Sequence, residues 1–230
     1  MNQPLSSGGR FGHSVSDAVV RNKVLRNTYL LLALSMVPTV LGAWIGVTTG
    51  IANGLTGFTG LIVFLGGMMG FQFAIHRFRD SGMGVALLLG FTFFMGIMLS
   101  RLLGAVLGMS NGTSLVMSAF ASTAGVFGTM AVLSTVIKRD LSGMGRWLFA
   151  GMIAVLIAGV IGMFMGSSAM MIGITVLSTV IFSLYMLYDL KRIMDGGETN
   201  YVLATTGLYI SIFAVFQNLL ALFGIFGGED

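Results

Sequence analysis

The chain has 230 residues, of which 56% are hydrophobic and only 9% are charged, and its formal net charge is +4. Soluble domains carry about 25% charged residues, so this composition excludes a soluble globular fold. The chain has no cysteine, which excludes disulfides, thiolate metal sites and cysteine nucleophiles.

The chain begins with a polar segment that is rich in glycine and serine and contains only scattered apolar residues. Such a segment buries too little apolar surface to fold by itself. The sequence therefore predicts a flexible cytoplasmic tail over residues 1–24 and a transmembrane domain over residues 25–230. The first apolar run is too long for a cleavable signal peptide, so a retained helix is predicted.

Seven apolar runs follow the tail, and each is long enough to cross a bilayer core, which needs about 20 residues per helix. The chain is therefore predicted to be an all-α membrane protein with seven transmembrane helices. The predicted spans are residues 28–49, 55–75, 83–103, 113–137, 146–165, 169–188 and 202–226.

The basic residues give an independent test of this topology, because cytoplasmic loops of membrane proteins carry an excess of Lys and Arg. With seven crossings, eleven of the twelve basic residues fall on one side, which predicts a cytoplasmic N-terminus and an outside C-terminus. Arg101 is the exception, and its long side chain is predicted to reach the outer interface, with a role in an external mouth as the alternative. The short loops leave no folded basic face for nucleic acid.

Small residues recur along the predicted helices. Pairs such as Gly42 and Gly46, or Gly66 and Gly70, have the four-residue spacing that lets helices approach closely. In helix 7 a small and polar stripe follows steps of three and four, and Tyr209 and Gln217 add further polar groups. Because unpaired polar groups in hydrocarbon are costly, helix 7 is predicted to be enclosed by the other six helices. The stripe comprises Asn200, Ala204, Gly207, Ser211, Ala214 and Asn218.

Four segments carry a family resemblance: "VLRNTYLLLALS", "GFTFFMGIMLS", "YMLYDLKRI" and "GGETNYVLATTGLYISIFAVFQNLLALFGIF". Together they resemble the Bax inhibitor-1 family, and most closely its bacterial YccA-like branch, over nearly the whole chain beyond the first twenty-odd residues. The resemblance implies a seven-helix bundle with a central seventh helix. It also implies two activities: modulation of the membrane-bound FtsH protease, or a pH-sensitive calcium leak closed by two aspartates.

The first of those two aspartates matches Asp189 in "LYDL", whereas the second position is Ser211 in "LYIS". A lone carboxylate has no acidic partner with which to share a proton, so this substitution weakens the calcium-leak hypothesis. Asp189 and Ser211 remain the candidate ion or proton gate. Tyr209, Gln217 and Asn218 are the candidate polar path on helix 7.

The loop after helix 6 contains Asp195 and Glu198, and two interpretations of it stay open. In one, the loop is a solvated, salt-bridged turn in which Gly196 and Gly197 end helix 6. In the other, Asp189 gates a proton or cation path at the mouth of helix 7. The "DGGE" segment lacks the alternating oxygen ligands of an EF-hand, and no metal site is predicted.

The predicted function is that of a non-enzymatic protein of the bacterial inner membrane, because no arrangement of side chains supports hydrolysis. Its partners are predicted to be the lipid bilayer and an FtsH-like AAA protease, which could grip the tail. The alternatives are a pH-sensitive calcium or cation leak gated near Asp189, and a structural assembly factor. No cofactor is predicted, with Ca²⁺ only as the transported ion of the leak alternative.

Overall fold

A computed structural model describes residues 9–227, with side chains from residue 21 onward. The described part contains seven α-helices, one short 3₁₀ helix (Ile51–Gly54) and no strand. Each α-helix contains a segment long and apolar enough to cross a membrane, which confirms the predicted all-α membrane fold. The α-helices are α1 (Gly9–Thr49), α2 (Gly57–Phe78), α3 (Gly82–Leu107), α4 (Gly112–Val136), α5 (Met144–Met165), α6 (Ser168–Met194) and α7 (Tyr201–Gly227).

Helix α1 is much longer than a bilayer core requires. Its 41 residues extend over about 60 Å at 1.5 Å per residue, twice the hydrocarbon thickness of about 30 Å. Its apolar segment begins at Arg21, so the helical residues before Arg21 precede the candidate membrane span. The predicted tail falls partly on residues 1–8, which lie outside the described residues, and its flexibility stays a prediction.

Alternating crossings give the bundle two ends. The first face holds the start of the α1 span and the α2–α3, α4–α5 and α6–α7 connections. The second face holds the 3₁₀ helix, the α3–α4 and α5–α6 connections and the end of α7. Every basic side chain that is described, except Arg101, lies at or near the first face.

Helices α1 and α3 cross with their backbones in close contact. A Cβ on Gly42 would collide with the Phe93 carbonyl oxygen, and a Cβ on Gly96 would collide with the Thr39 carbonyl oxygen. Glycine at these positions lets the two backbones touch, as in other membrane helix pairs. The crossing therefore fixes α1 against α3 at mid-bundle.

Helix α7 packs against α1, α2, α3, α4 and α6, whereas α5 packs against α6. The predicted enclosure of helix 7 by all six other helices is therefore not confirmed. The largest fully buried side chain of α7 is Tyr209, which is 1% exposed. Its hydroxyl lies 2.8 Å from Thr39 Oγ1, and its ring packs against Phe91 and Phe213.

The outside of the bundle is apolar, as a lipid-facing surface requires. Trp147, Phe73 and Phe164 are 81%, 77% and 75% exposed. Exposed apolar surface of this extent is rare on soluble monomers and marks contact with lipid or protein.

Candidate functional site

The α6–α7 turn has a well-defined local structure. Gly196 adopts a positive φ of 77°, its N–H donates to the Ile193 carbonyl, and the Gly197 N–H donates to the Arg192 carbonyl. This is the hydrogen-bond pattern by which a left-handed glycine ends a helix. Asn200 Oδ1 then accepts from the N–H groups of Val202 and Leu203, at 3.0 and 3.1 Å, and caps the first turn of α7.

Asp189 does not end helix α6. The predicted span stops at residue 188 because the charged residues begin there, but the helix continues to Met194. The last turn is polar and still helical, with an i,i+4 ion pair of 2.7 Å between Lys191 and Asp195. Asp189 is therefore held by a rigid helix and not by the loop.

A polar cavity of about 400 Å³ opens at the first face between α2, α6 and α7. Asp189 lies on its wall against Gly207 of α7, where a Cβ would stand 3.0 Å from Asp189 Oδ2. The absence of a side chain at Gly207 thus leaves space on α7 for the Asp189 carboxylate. The polar residues that line the cavity are Gln72, His76, Arg79, Asp189, Arg192, Glu198 and Thr206.

The Asp189 carboxylate forms no hydrogen bond and no ion pair with any other described residue. The nearby cations have other partners: Lys191 pairs with Asp195, and Arg192 pairs with Glu198 at 3.2 Å. A half-buried carboxylate without a bonded partner in a polar cavity can bind a proton or a cation.

Asp195 and Glu198, the predicted loop residues, both have structural contacts. Asp195 pairs with Lys191, and Glu198 pairs with Arg192 while its Oε1 accepts from the Asn200 N–H at 3.0 Å. These contacts fit the interpretation of a salt-bridged turn for these two residues. Asp189 stands apart from them.

Ser211 lies deeper in the bundle than Asp189. It is 2% exposed and follows Gly207 by one turn, which is about 6 Å along the axis. The register of α6 and α7 is fixed at the other end by a 2.8 Å hydrogen bond from Asn218 Nδ2 to Ser178 Oγ. Asp189 and Ser211 therefore lie at different depths, and Ser211 does not line the cavity.

The predicted path residues on α7 point in different directions. Tyr209 contacts Thr39 of α1 and the Thr92 carbonyl of α3, whereas Asn218 contacts α6. Gln217 is half-buried and does not line the cavity. These three side chains do not form one continuous row beside Asp189.

The cavity also contains residues of α2 that sequence reasoning did not assign to a site. Gln72, His76 and Arg79 follow each other at steps of four and three, so they share one face of α2 or its end. His76 Nδ1 lies 3.0 Å from the Gln72 carbonyl oxygen. The spacing of these polar residues beside the first face is the sequence signal from which the α2 side of the cavity could have been predicted.

Among the described residues, no group of three or more His, Asp or Glu side chains could hold a metal ion. Asp189, Glu198 and His76 all line the cavity, but they do not form such a group. The cavity is therefore a polar, open site with one unpaired carboxylate, that of Asp189.

Known proteins resemble this chain over nearly all of its length. The family model described as "Inhibitor of apoptosis-promoting Bax1" matches residues 21–228. A protein of Escherichia coli named "Modulator of FtsH protease YccA" is 32% identical over 218 residues, which cover 95% of this chain and 96% of that protein. A Pseudomonas aeruginosa protein is 35% identical over 207 residues, which cover 90% and 91% of the two chains.

Two further relatives are named as membrane proteins. One is a Vibrio cholerae protein that is 32% identical over 217 residues, which cover 94% of this chain and 96% of that one. The other is the "Inner membrane protein YccA" of a second Escherichia coli strain. The family match spans all seven helices, and the chain belongs to the Bax inhibitor-1 family.

Proposed function

We propose that this protein resides in the inner membrane, where it binds and modulates an FtsH-like AAA protease without being an enzyme or needing a cofactor. The observation that carries the proposal is the 32% identity to the Escherichia coli modulator of FtsH protease over 95% of this chain. The match also covers 96% of that protein.

Helix α1 supports a mechanism for this modulation. It begins at Gly9, ahead of the apolar segment that begins at Arg21. The proposed cytoplasmic orientation places this extension on the side where an ATP-driven protease would engage a substrate. A protease that grips the extension must then extract a bundle of seven helices, which is slow, and the protein occupies the protease meanwhile.

Deletion of residues 2–22 tests this mechanism. The truncated chain is expected to insert in the membrane but to lose inhibition of the protease, measured as the half-life of a second membrane substrate. The matched control replaces residues 2–22 with an unrelated flexible segment of equal length, which is expected to restore inhibition. Unchanged inhibition by the truncated chain contradicts the tail mechanism.

A second function, a pH-sensitive cation leak with Asp189 as gate, is favoured by the cavity at the first face. The unpaired Asp189 carboxylate lies on the wall of this cavity. It could bind a proton or a divalent cation that enters from the first face and moves along α7. Ser211 argues against this function, because it replaces the second acid and lies about one turn deeper. The leak therefore ranks below protease modulation.

Calcium flux into liposomes that contain the purified protein separates the two functions. If the leak operates, flux is expected to depend on pH and to fall at least about tenfold in Asp189→Asn, since the amide cannot bind a cation by charge. Asp140→Asn, an exposed carboxylate of the α4–α5 loop, is the matched control. Flux equal to that of empty liposomes excludes the leak and leaves the protease proposal intact.

A further inference from the structure

A second cavity, of about 300 Å³, lies at the opposite end of the bundle from Asp189. It is an open cavity lined by the 3₁₀ helix, the start of α2, the outer part of α3 and Met163 of α5. Its walls are apolar or glycine apart from one charged residue, Arg101. The main apolar contributors are Leu55, Leu61, Phe64, Met98 and Met163.

Arg101 has no counter-charge within the described part of the protein. It forms no ion pair and no hydrogen bond with a described residue. It lies in α3 six residues before Leu107, which is about 9 Å from the helix end. The acidic side chains that the structure describes all lie at or near the first face: Asp80, Asp140, Asp189, Asp195 and Glu198.

Arg101 is exposed, so its long side chain can extend from α3 to the headgroup region of the bilayer. Charged side chains within membrane helices are rare, and they normally pair with another group or mark a functional site. The anion that a bilayer supplies at this depth is the phosphate of a lipid headgroup. A guanidinium can bind phosphate with two parallel hydrogen bonds, which an ammonium group cannot do.

We propose that the cavity at the second face binds one anionic phospholipid, with its phosphate on Arg101 and part of an acyl chain along Leu61, Phe64 and Met98. The volume of about 300 Å³ is at the lower limit of ligand pockets, about 300–1,000 Å³. It therefore accommodates part of one chain while the remainder stays in the bilayer. Charge complementarity selects an anionic headgroup, and the apolar wall selects a lipid over free phosphate.

Native mass spectrometry of the full chain in mild detergent tests the proposal. The protein is mixed with equal amounts of dioleoyl phosphatidylglycerol and dioleoyl phosphatidylcholine. The native protein is expected to retain one phosphatidylglycerol, and Arg101→Gln is expected to lower that preference about tenfold, because a charge-assisted bond is lost. An unchanged preference in Arg101→Gln overturns the proposal.

Three controls locate the effect in this cavity. Arg101→Lys keeps the charge without the paired hydrogen bonds and is expected to retain an intermediate preference. Lys138→Gln, at the first face, is expected to behave as the native protein, and a loss of preference there as large as in Arg101→Gln overturns the proposal. Met98→Trp fills the apolar wall and is expected to lower retention of both lipids.

Two further measurements guard against misfolding and against simple phosphate binding. Phosphatidylglycerol is expected to raise the Tm of the native protein and not of Arg101→Gln, because a ligand stabilises only a fold that binds it. Glycerophosphoglycerol has the same phosphodiester headgroup without acyl chains. Displacement of the lipid by glycerophosphoglycerol at equal concentration contradicts a site that needs the apolar wall.

Discussion

At the scale of single residues, the contact between Tyr209 and Thr39 joins two residues that are 170 positions apart in the chain and so links α7 to α1. Tyr209 is 1% exposed, and its hydroxyl lies 2.8 Å from Thr39 Oγ1. Thr39, which follows Pro38 in α1, also donates its hydroxyl to the Ser35 carbonyl at 2.8 Å. The Tyr209 hydroxyl is thereby satisfied inside the bundle, where an unmade hydrogen bond is costly.

Tyr209→Phe is expected to lower the free energy of unfolding by about 1 kcal/mol, the net contribution of one such hydrogen bond. The ring contacts with Phe91 and Phe213 remain in this variant. Combination with Thr39→Val in a double-mutant cycle isolates the pair, and the effects are expected to be less than additive. Thermal unfolding in detergent, followed by circular dichroism, measures these changes.

The matched control for this cycle is Thr129→Val, in which the exposed threonine is bonded only to the Gly125 carbonyl of its own helix. A cost as large as that of Thr39→Val would show that loss of the intrahelical bond, common to both threonines, explains the result. Strict additivity of Tyr209→Phe and Thr39→Val would likewise contradict a direct contact.

Residue identities predicted part of the candidate site. Asp189 could be found from the sequence because it is the first charge after an apolar run and matches a family position. The neighbours of Asp189 could not, since they depend on how α2, α6 and α7 are rotated and placed. His76 and Asp189 are 113 positions apart, and only the bundle brings them to one cavity.

At the scale of helices, glycine spacing alone does not decide which surfaces touch. Gly42 and Gly46 on α1 do lie against α3, as the four-residue spacing predicts. Gly66 and Gly70 on α2 have the same spacing, yet a Cβ on either would meet nothing within 4 Å. The same pattern thus marks a tight crossing in one helix and an open surface in another.

Gly96→Ala is expected to destabilise the protein by about 1–3 kcal/mol, the usual cost of overpacking a close contact. Its Cβ would stand 2.9 Å from the Ala43 backbone nitrogen and closer still to the Thr39 carbonyl oxygen, and neither backbone atom can rotate away. Thermal unfolding in detergent measures the loss as a lower Tm.

Gly70→Ala provides the matched control, because the same change occurs at an open position in a helix. It is expected to leave the Tm unchanged or to raise it, since alanine favours a helix over glycine by up to about 1 kcal/mol. Equal Tm values for Gly96→Ala and Gly70→Ala would disprove the close α1–α3 crossing.

At the scale of the whole molecule, the number of helices could be predicted because the bilayer imposes a minimum length on each one. Each of the seven predicted spans overlaps one helix. The ends were less predictable: α6 continues to Met194 and α1 begins at Gly9, where polar sequence remains helical. Hydropathy reports where the hydrocarbon ends, whereas a helix ends where a residue such as Gly196 stops it.

The distribution of charge predicts how this bundle is oriented in the membrane. Eleven of its twelve basic residues belong to the first face or to the tail that leads to it, and one, Arg101, lies near the second. Short loops rich in Lys and Arg are retained in the cytoplasm.

A phosphatase that is active only outside the cytoplasm is therefore expected to be active when fused after Asp230 and inactive when fused after Gly143 in the α4–α5 loop. A fluorescent protein that folds only in the cytoplasm is expected to give the opposite pattern at the same two positions. Phosphatase activity at Gly143 would place the first face outside, and an FtsH-like protease could then reach neither the Asp189 cavity nor the N-terminal extension of α1.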